Sequence, residues 1–451
     1  MVHSFKVNDE YFVFDSESGS LHTADRLVFA LLNDNKEILS QYSADETAEA
    51  QAEIEALKEK GLLFSAPQTS VEGNYEAGIV KSLCLHLSHD CNLRCRYCFA
   101  NQGDYHGKRE NMPLNVALKA VDMLIAKSGA VKNLEMDFFG GEPLMNFDVL
   151  RQTVSYAKEQ ARKAGKIFKF TCTTNGLLLD REKSDYLNEE MDNVVLSLDG
   201  RREVNDFARP CPNGRGSFDL IVDNFRYFRS IRGSKSYFLR GTFTHFNTDF
   251  AKDVLFMREL GFEQLSVEPA VLPRGSEMEI KDSDLPEIFG QYEELAKQYV
   301  KLRKNPETWF SFFHFNIDLE NGPCLKKRLK GCGAGCEYLA VVPDGGVYPC
   351  HQFAGEKEYL LGNVFDMSLD ESKRKIFASS NLFSKEDCKD CWAKYLCSGG
   401  CSANAVHFNG DINKPFSQAC ALMKKRTECA LYVYAKELSL IHISEPTRLG
   451  M

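Results

Sequence analysis

The sequence predicts an α/β chain centred on a partial (β/α)6 barrel, with a small strand-and-helix module before it and a cysteine-rich region after it. Three observations carry that reading. Strand-length apolar runs alternate with amphipathic helical patterns from about residue 78 to 310. The segment before them places short strands ahead of helices, and beyond about 315 cysteines, glycines and turn residues replace long apolar patterns. Strand–helix alternation of this length implies a parallel sheet with right-handed crossovers.

Residues 1–72 make the first expected domain. Tyr11-Phe12-Val13-Phe14 reads as a strand followed by the polar turn Ser16-Glu17-Ser18-Gly19. A helix is expected from Thr23, because Leu27, Val28, Leu31 and Leu32 recur at helical spacing. A second helix, about 45–60, stops at Gly61, and Leu62-Leu63-Phe64 reads as a returning strand. The order suggests a winged-helix-like module; a packing or dimerisation domain would share the pattern.

The central domain, 78–310, has expected strands at Leu83–Leu87, Leu134–Phe139, Phe168–Thr173, Asn193–Leu198, Tyr237–Phe243 and Gln264–Val267. Helical patterns fall between them, among them Leu114–Lys127, Phe147–Lys163 and Phe218–Arg229. These units form an incomplete TIM-like barrel, whose functional residues belong on the loops after the strands' carboxyl ends. The third domain, 315–438, has too little apolar sequence for a large core and would need metal clusters as staples. A helix at about 418–438 closes it. Residues 439–451 break that helical pattern and are read as an appended tail foreign to the fold.

Composition narrows the function classes. A chain of 451 residues is too long for one ordinary core. No apolar run reaches the length of a membrane span and no charged-then-apolar leader opens the chain, so a cytoplasmic, membrane-free protein is expected. The net charge of −9 supplies no stripe to neutralise phosphates, which argues against nucleic acid. Sixteen cysteines in a chain of this size point to metal ligation rather than disulfides. Most of them fall in groups at 91–98, 324–350 and 388–420, leaving Cys84, Cys172, Cys211 and Cys429 as ordinary small hydrophobes.

The densest chemistry lies at Cys91-x3-Cys95-x2-Cys98, with Tyr97 before the last cysteine. Three thiolates on one short loop can hold three corners of a four-iron cube and leave the fourth iron open to a chelating molecule. A zinc knuckle is the alternative. One strand later, Gly140-Gly141-Glu142-Pro143 lets backbone approach a ligand closely. Thr173-Thr174-Asn175-Gly176 ends the next strand, and Ser197-Leu198-Asp199-Gly200 the one after. With these motifs the chain resembles the radical S-adenosylmethionine (SAM) enzymes. The resemblance implies that Cys91, Cys95 and Cys98 hold the catalytic [4Fe-4S] cluster. It implies that Tyr97, Gly140, Gly141, Glu142, Pro143, Thr174, Asn175, Ser197 and Asp199 line the SAM pocket, with Arg209 facing the methionine carboxylate.

The later field, Cys388-x2-Cys391-x5-Cys397-x3-Cys401 followed by Cys420 and preceded by Cys332 and Cys350, resembles the SPASM extension of radical SAM enzymes that act on peptides. By that resemblance Cys388, Cys391, Cys397 and Cys420 hold a distal [4Fe-4S] cluster. Cys332, Cys350 and Cys401 hold a nearer one, whose fourth ligand is Cys324, Cys336 or none. Three clusters and SAM are the implied cofactors. The N-terminal module is similar to the recognition elements of enzymes that modify ribosomally made peptides, in which a leader peptide pairs with a strand edge.

The whole arrangement resembles thioether-forming maturases of six-cysteine peptides. Implied are a cysteine-rich precursor peptide as substrate, a sulfur-to-carbon cross-link as product and a small electron donor such as flavodoxin or ferredoxin. The rivals are formylglycine formation, as in anaerobic sulfatase maturases, carbon–carbon cross-linking and a non-catalytic electron carrier.

Overall fold

The computed structural model describes residues 1–67, 78–319 and 328–441. They divide into two compact units, neither continuous in sequence: one drawn from 1–73, 282–331 and 381–451, the other from 74–281 and 332–380.

In the first unit, β1 (Val2–Val7), β2 (Glu10–Asp15) and β3 (Ser20–Ala24) form an antiparallel sheet in that order. The β1–β2 turn is Asn8-Asp9, both with positive φ, as a two-residue hairpin requires. Phe5 faces Phe12 across this pair, and Phe14 faces Leu21 across the next. The expected helix start at Thr23 is corrected here. Thr23 pairs with Phe12 inside β3, and the helix Arg26–Leu32 begins only at Asp25, whose carboxylate accepts the Val28 N–H at 2.8 Å. The helix Ala44–Glu59 opens on a full capping box, Ser43 with Glu46. Leu62–Phe64 is not a strand. The N–H groups of Leu62 and Leu63 bond back to Leu57 O, and Phe64 has φ +54°, so the backbone there turns rather than extends. Helices Leu285–Arg303 and Ser417–Ile441 pack together in this unit, tied by Lys425 and Glu293. The closing helix runs on to Ile441, past the expected end at 438; residues 442–451 lie outside the described residues.

The second unit holds the parallel sheet. Strands β4 (Ser82–Ser88), β5 (Asn133–Gly140), β6 (Ile167–Thr174), β7 (Asn193–Ser197), β8 (Ser236–Phe243) and β9 (Gln264–Pro269) lie side by side in sequence order, all parallel. Helices such as Leu114–Lys127, Phe147–Ala164 and Phe218–Arg232 connect them. Strand β4 is buried from end to end because it has strands on both sides: β5, and Tyr338–Val341 from the cysteine-rich region. Its unbroken run Ser-Leu-Cys-Leu-His-Leu-Ser is what a fully enclosed parallel strand needs. Phe138, Phe170, Phe225, Phe243 and Phe250 fill the core. Parallel strands place their carboxyl ends at one rim, so the loops after Ser88, Gly140, Thr174 and Ser197 emerge together.

Candidate active site

The three-thiol loop leaves β4 and is gripped from several sides. Gly141 N–H donates to Ser88 O at 2.7 Å and Glu142 N–H to Asp90 O at 2.9 Å, which lays the end of β5 along the start of the loop. The approach is too close for a side chain. A Cβ on Gly140 would stand 2.4 Å from Ser88 O, and one on Gly141 would stand 2.1 Å from Asp90 O. Further on, Arg94 N–H donates to Pro210 O and Arg96 N–H to Ala208 O, at 2.8 and 2.9 Å. That pairing carries Tyr97 across to the segment after β7. Its hydroxyl donates to both Asp199 oxygens at 2.8 and 2.9 Å, and the Arg209 guanidinium lies over its ring at 5.4 Å. Arg209 Nε sits 3.0 Å from Asp199 Oδ2, as an ion pair rather than an aligned hydrogen bond. Asp199 also accepts the Thr242 N–H from β8.

Glu142 is 1% exposed, and its carboxylate is enclosed by its own chain. It accepts the Leu144 N–H at 3.0 Å, the Thr174 hydroxyl at 2.8 Å and the Asn175 N–H at 2.8 Å. Pro143, buried, starts the short turn that presents Leu144. Glu142 and Thr174 therefore brace the β5 and β6 loops against each other. Burial pushes Glu142 up to about 7, with the three donors opposing. Asn175 reaches the thiols themselves: its Nδ2 donates to Asn92 Oδ1 at 2.8 Å and lies 3.5 Å from Cys91 Sγ. Leu93 N–H is also 3.5 Å from Cys91 Sγ, and Arg209 Nη1 is 3.9 Å from Cys95 Sγ. Ser197 ends β7 partly exposed, outside this network.

Burial holds the Cys91 and Cys95 thiols up at about 12, opposed at Cys95 by Arg209. Without a cation the pair stays protonated, and a metal that binds there must displace those protons. Soft sulfur donors with N–H groups aimed at them are the surroundings an iron–sulfur cluster requires. Sequence reasoning missed Asn92, Asp90 and Arg109, although Arg109 pairs with Asp90 and Cys91 N–H bonds Asp90 Oδ1. Nothing in their spacing announces those partners. It missed as well the buried imidazole pair His86–His89, 3.1 Å apart beneath the Tyr105 ring.

Among the second group of cysteines, Cys388, Cys391, Cys397 and Cys420 come together in the first unit. Burial pushes Cys388 up to about 12 and Cys420 up to about 11, each raised further by other members of the four. Cys397 is raised by burial too, against N–H donors from Gly399 and Gly400. Cys332 (exposed), Cys336 (buried) and Cys350 (buried) belong to the second unit and Cys401 (exposed) to the first; Cys324 lies outside the described residues. Arg374, 1% exposed, donates to the carbonyls of Gly335 and Cys336 and pairs with Glu371. None of the described cysteines is in a disulfide. No three His, Cys, Asp or Glu side chains among the described residues converge on a point fit for a single metal ion. Thiols that grip the corners of an inorganic cube need not converge on one.

Comparison with known proteins gives these groups a context. The Radical SAM superfamily model matches residues 85–250, and the SPASM model, an iron–sulfur cluster-binding domain, matches 332–392. The chain is 24% identical to the radical SAM cyclopropyl synthase TigE of Paramaledivibacter caminithermalis over 94% of its own length and 93% of that protein's. It is 27% identical to a cysteine-type anaerobic sulfatase-maturating enzyme of Clostridium novyi, over 72% of this chain and 89% of that one. Streptococcus suis SuiB, solved with its precursor peptide SuiA, shares the fold at TM-score 0.53 and 16% identity, covering 90% of this chain and 94% of that one. No helix among the described residues is long and apolar enough to cross a membrane. With the three-thiol loop at the strand rim and a cysteine-rich region that extends the same sheet, this chain is a radical SAM enzyme carrying a SPASM iron–sulfur domain.

Proposed function

We propose that the enzyme joins a cysteine sulfur to a carbon of another residue in a cysteine-rich, ribosomally made precursor peptide. The observation that supports this most is the N-terminal sheet, whose outer strands β1 and β3 have, among the described residues, β2 alone as a sheet neighbour and could take up an extended peptide by backbone hydrogen bonding. TigE aligns with nearly the whole chain, and SuiB, similar in fold over nine-tenths of it, binds a precursor peptide. Residues 1–72 would then recognise the leader, 78–310 carry the radical chemistry and 315–438 the auxiliary clusters.

In this reading Cys91, Cys95 and Cys98 would hold a [4Fe-4S] cluster, which together with SAM would supply a 5′-deoxyadenosyl radical. Gly140 and Gly141, lacking a Cβ, let the end of β5 lie against the thiol loop and bring its backbone to the edge of the pocket. Tyr97, Asp199 and Arg209, locked together, form the wall opposite, with Pro143, Thr174, Asn175 and Ser197 on the neighbouring loops. Glu142 fixes two of those loops. Cys388, Cys391, Cys397 and Cys420 hold a second cluster. The sequence resemblance assigns a third cluster to Cys332, Cys350 and Cys401, with Cys324, Cys336 or a substrate thiolate as its fourth ligand. The protein orients the reacting carbon and excludes water. A flavodoxin or ferredoxin in the cytoplasm would supply the electron for SAM cleavage. One substrate hydrogen leaves with 5′-deoxyadenosine, the thiol proton goes to solvent, and the electron left on closing the S–C bond would pass to an auxiliary cluster.

Mass spectrometry of a cysteine-rich precursor peptide after incubation with loaded enzyme, SAM and reductant tests the reading. The expected product has lost two hydrogens and one alkylatable thiol. Loss of two hydrogens with every thiol still alkylatable indicates a carbon–carbon product instead. The similarity to sulfatase-maturating enzymes supports a second reading, formylglycine formation, and a sulfur-free aldehyde product would establish it.

A further inference from the structure

The distal quartet lies in the same compact unit as the N-terminal sheet, and the residues between its cysteines face that sheet. Between Cys391 and Cys397 the chain carries Trp392, Lys394 and Tyr395. Trp392 stacks on His3 of β1, ring centroids 3.9 Å apart and planes at 6°, and meets Phe14 of β2 edge-on at 6.4 Å. Lys394 Nζ lies 2.6 Å from Glu17 Oε1, with side chains 4% and 2% exposed, and Tyr395 donates its hydroxyl to Glu17 Oε2 at 3.0 Å. Glu17 sits in the β2–β3 turn. A further tie runs from His3 to Glu428, at 2.9 Å, on the helix that also carries Cys420.

A buried ion pair is tolerated only where its geometry is held, since both charges have left water. What holds Lys394 is the path of the quartet's own loop. That loop consists of two four-residue helices, Glu386–Lys389 and Lys394–Cys397, far too short to be stable by themselves. Bonds from its thiols to a common cluster would fix that path. We infer that the distal quartet is the foundation of the N-terminal sheet: loading it with its cluster fixes Trp392, Lys394 and Tyr395, and through them the strands proposed to receive the peptide. The inference rests on the assignment of the quartet to a cluster.

Hydrogen–deuterium exchange on the full-length, cluster-loaded protein tests it without any peptide. In the Cys391→Ser variant, amides of Val2–Ala24 should exchange roughly tenfold faster, while β4–β6 are unchanged. If that variant does not fold, the natural chain before and after anaerobic loading with iron and sulfide gives the same readout. The double variant Glu17→Leu, Lys394→Met replaces the buried pair by apolar groups of similar size, which protein folds tolerate. In it, loading should protect Val2–Ala24 much less than in the natural chain. Protection of the sheet that ignores loading, or that loading raises fully in the double variant, overturns the inference. Iron and sulfide counts separate the two failures. Iron lost with protection intact sinks the inference alone, whereas iron fully retained when Cys388, Cys391, Cys397 and Cys420 are all replaced by alanine sinks the cluster assignment.

Discussion

The two cysteine groups are built in opposite ways. The loop at 91–98 is shaped by protein contacts from several sides: β5 lies along it without a Cβ between, two backbone bonds pin Arg94 and Arg96, and Asn175 and Arg209 point at its sulfurs. Three of the quartet at 388–420, Cys388, Cys391 and Cys397, lie on or between four-residue helices, and the residues among them contact the N-terminal sheet. A site that must hold one iron open for chemistry is preorganised by its scaffold. A site whose metal is itself a staple can leave its order to the metal.

The largest effect expected separates the two groups by activity. Alanine at Cys91, Cys95 or Cys98 should reduce 5′-deoxyadenosine formation to background. Alanine at Cys397 should leave SAM cleavage in place while abolishing peptide product. Equal loss of cleavage from both sets would erase the distinction.

Gly141→Ala comes next, because the added methyl would meet Asp90 O at 2.1 Å. We expect about 1–3 kcal/mol of destabilisation, measured by thermal unfolding, and weaker iron retention at the first site alone. Unchanged stability would show that the loop is less tightly shaped than its contacts imply.

Glu142 gives a pH signature. Its folded pKa, about 7, lies above the ordinary 4.5, so the native state holds a proton that the unfolded chain has already lost. Stability fully present below about pH 4.5 therefore falls as pH rises towards 7, by about 3 kcal/mol in cofactor-free protein. Urea midpoints across that range should show the decline, and Glu142→Gln should flatten it. An identical slope in both proteins would remove burial as the cause.

The smallest effect is Tyr97→Phe. Losing the phenol bonds to Asp199 should cost about 0.5–1.5 kcal/mol of SAM binding, as Arg209 still pairs with the carboxylate. Equilibrium binding of SAM to the loaded enzyme measures it.

Much of the barrel was legible because each strand announces itself by an apolar run and each helix by its periodicity. All six expected strands recur in β4–β9. Strand β1 was not anticipated, since Val-His-Ser-Phe-Lys-Val carries too few apolar residues to stand out. Thr23 was misassigned because helical spacing continues backwards through β3, and only the Asp25 cap marks the boundary. The cysteines could be grouped from spacing, as ligands on one loop are close in sequence. Their N–H donors Asn175 and Arg209 could not, since these reach the thiols from segments after β6 and β7, far along the chain.

From the order of residues alone came the parallel barrel, the three-thiol loop at its rim and the thiol-rich region behind it, for these rest on local periodicity and short spacings. Folding alone decided that Glu142 would be sealed beneath three donors, that Tyr338–Val341 would join the barrel sheet beside β4, and that Lys394 would bury its charge against Glu17. Each of these unites groups distant along the chain, and such partners are chosen by packing and by the need to satisfy buried charge, neither of which leaves a pattern in neighbouring residues.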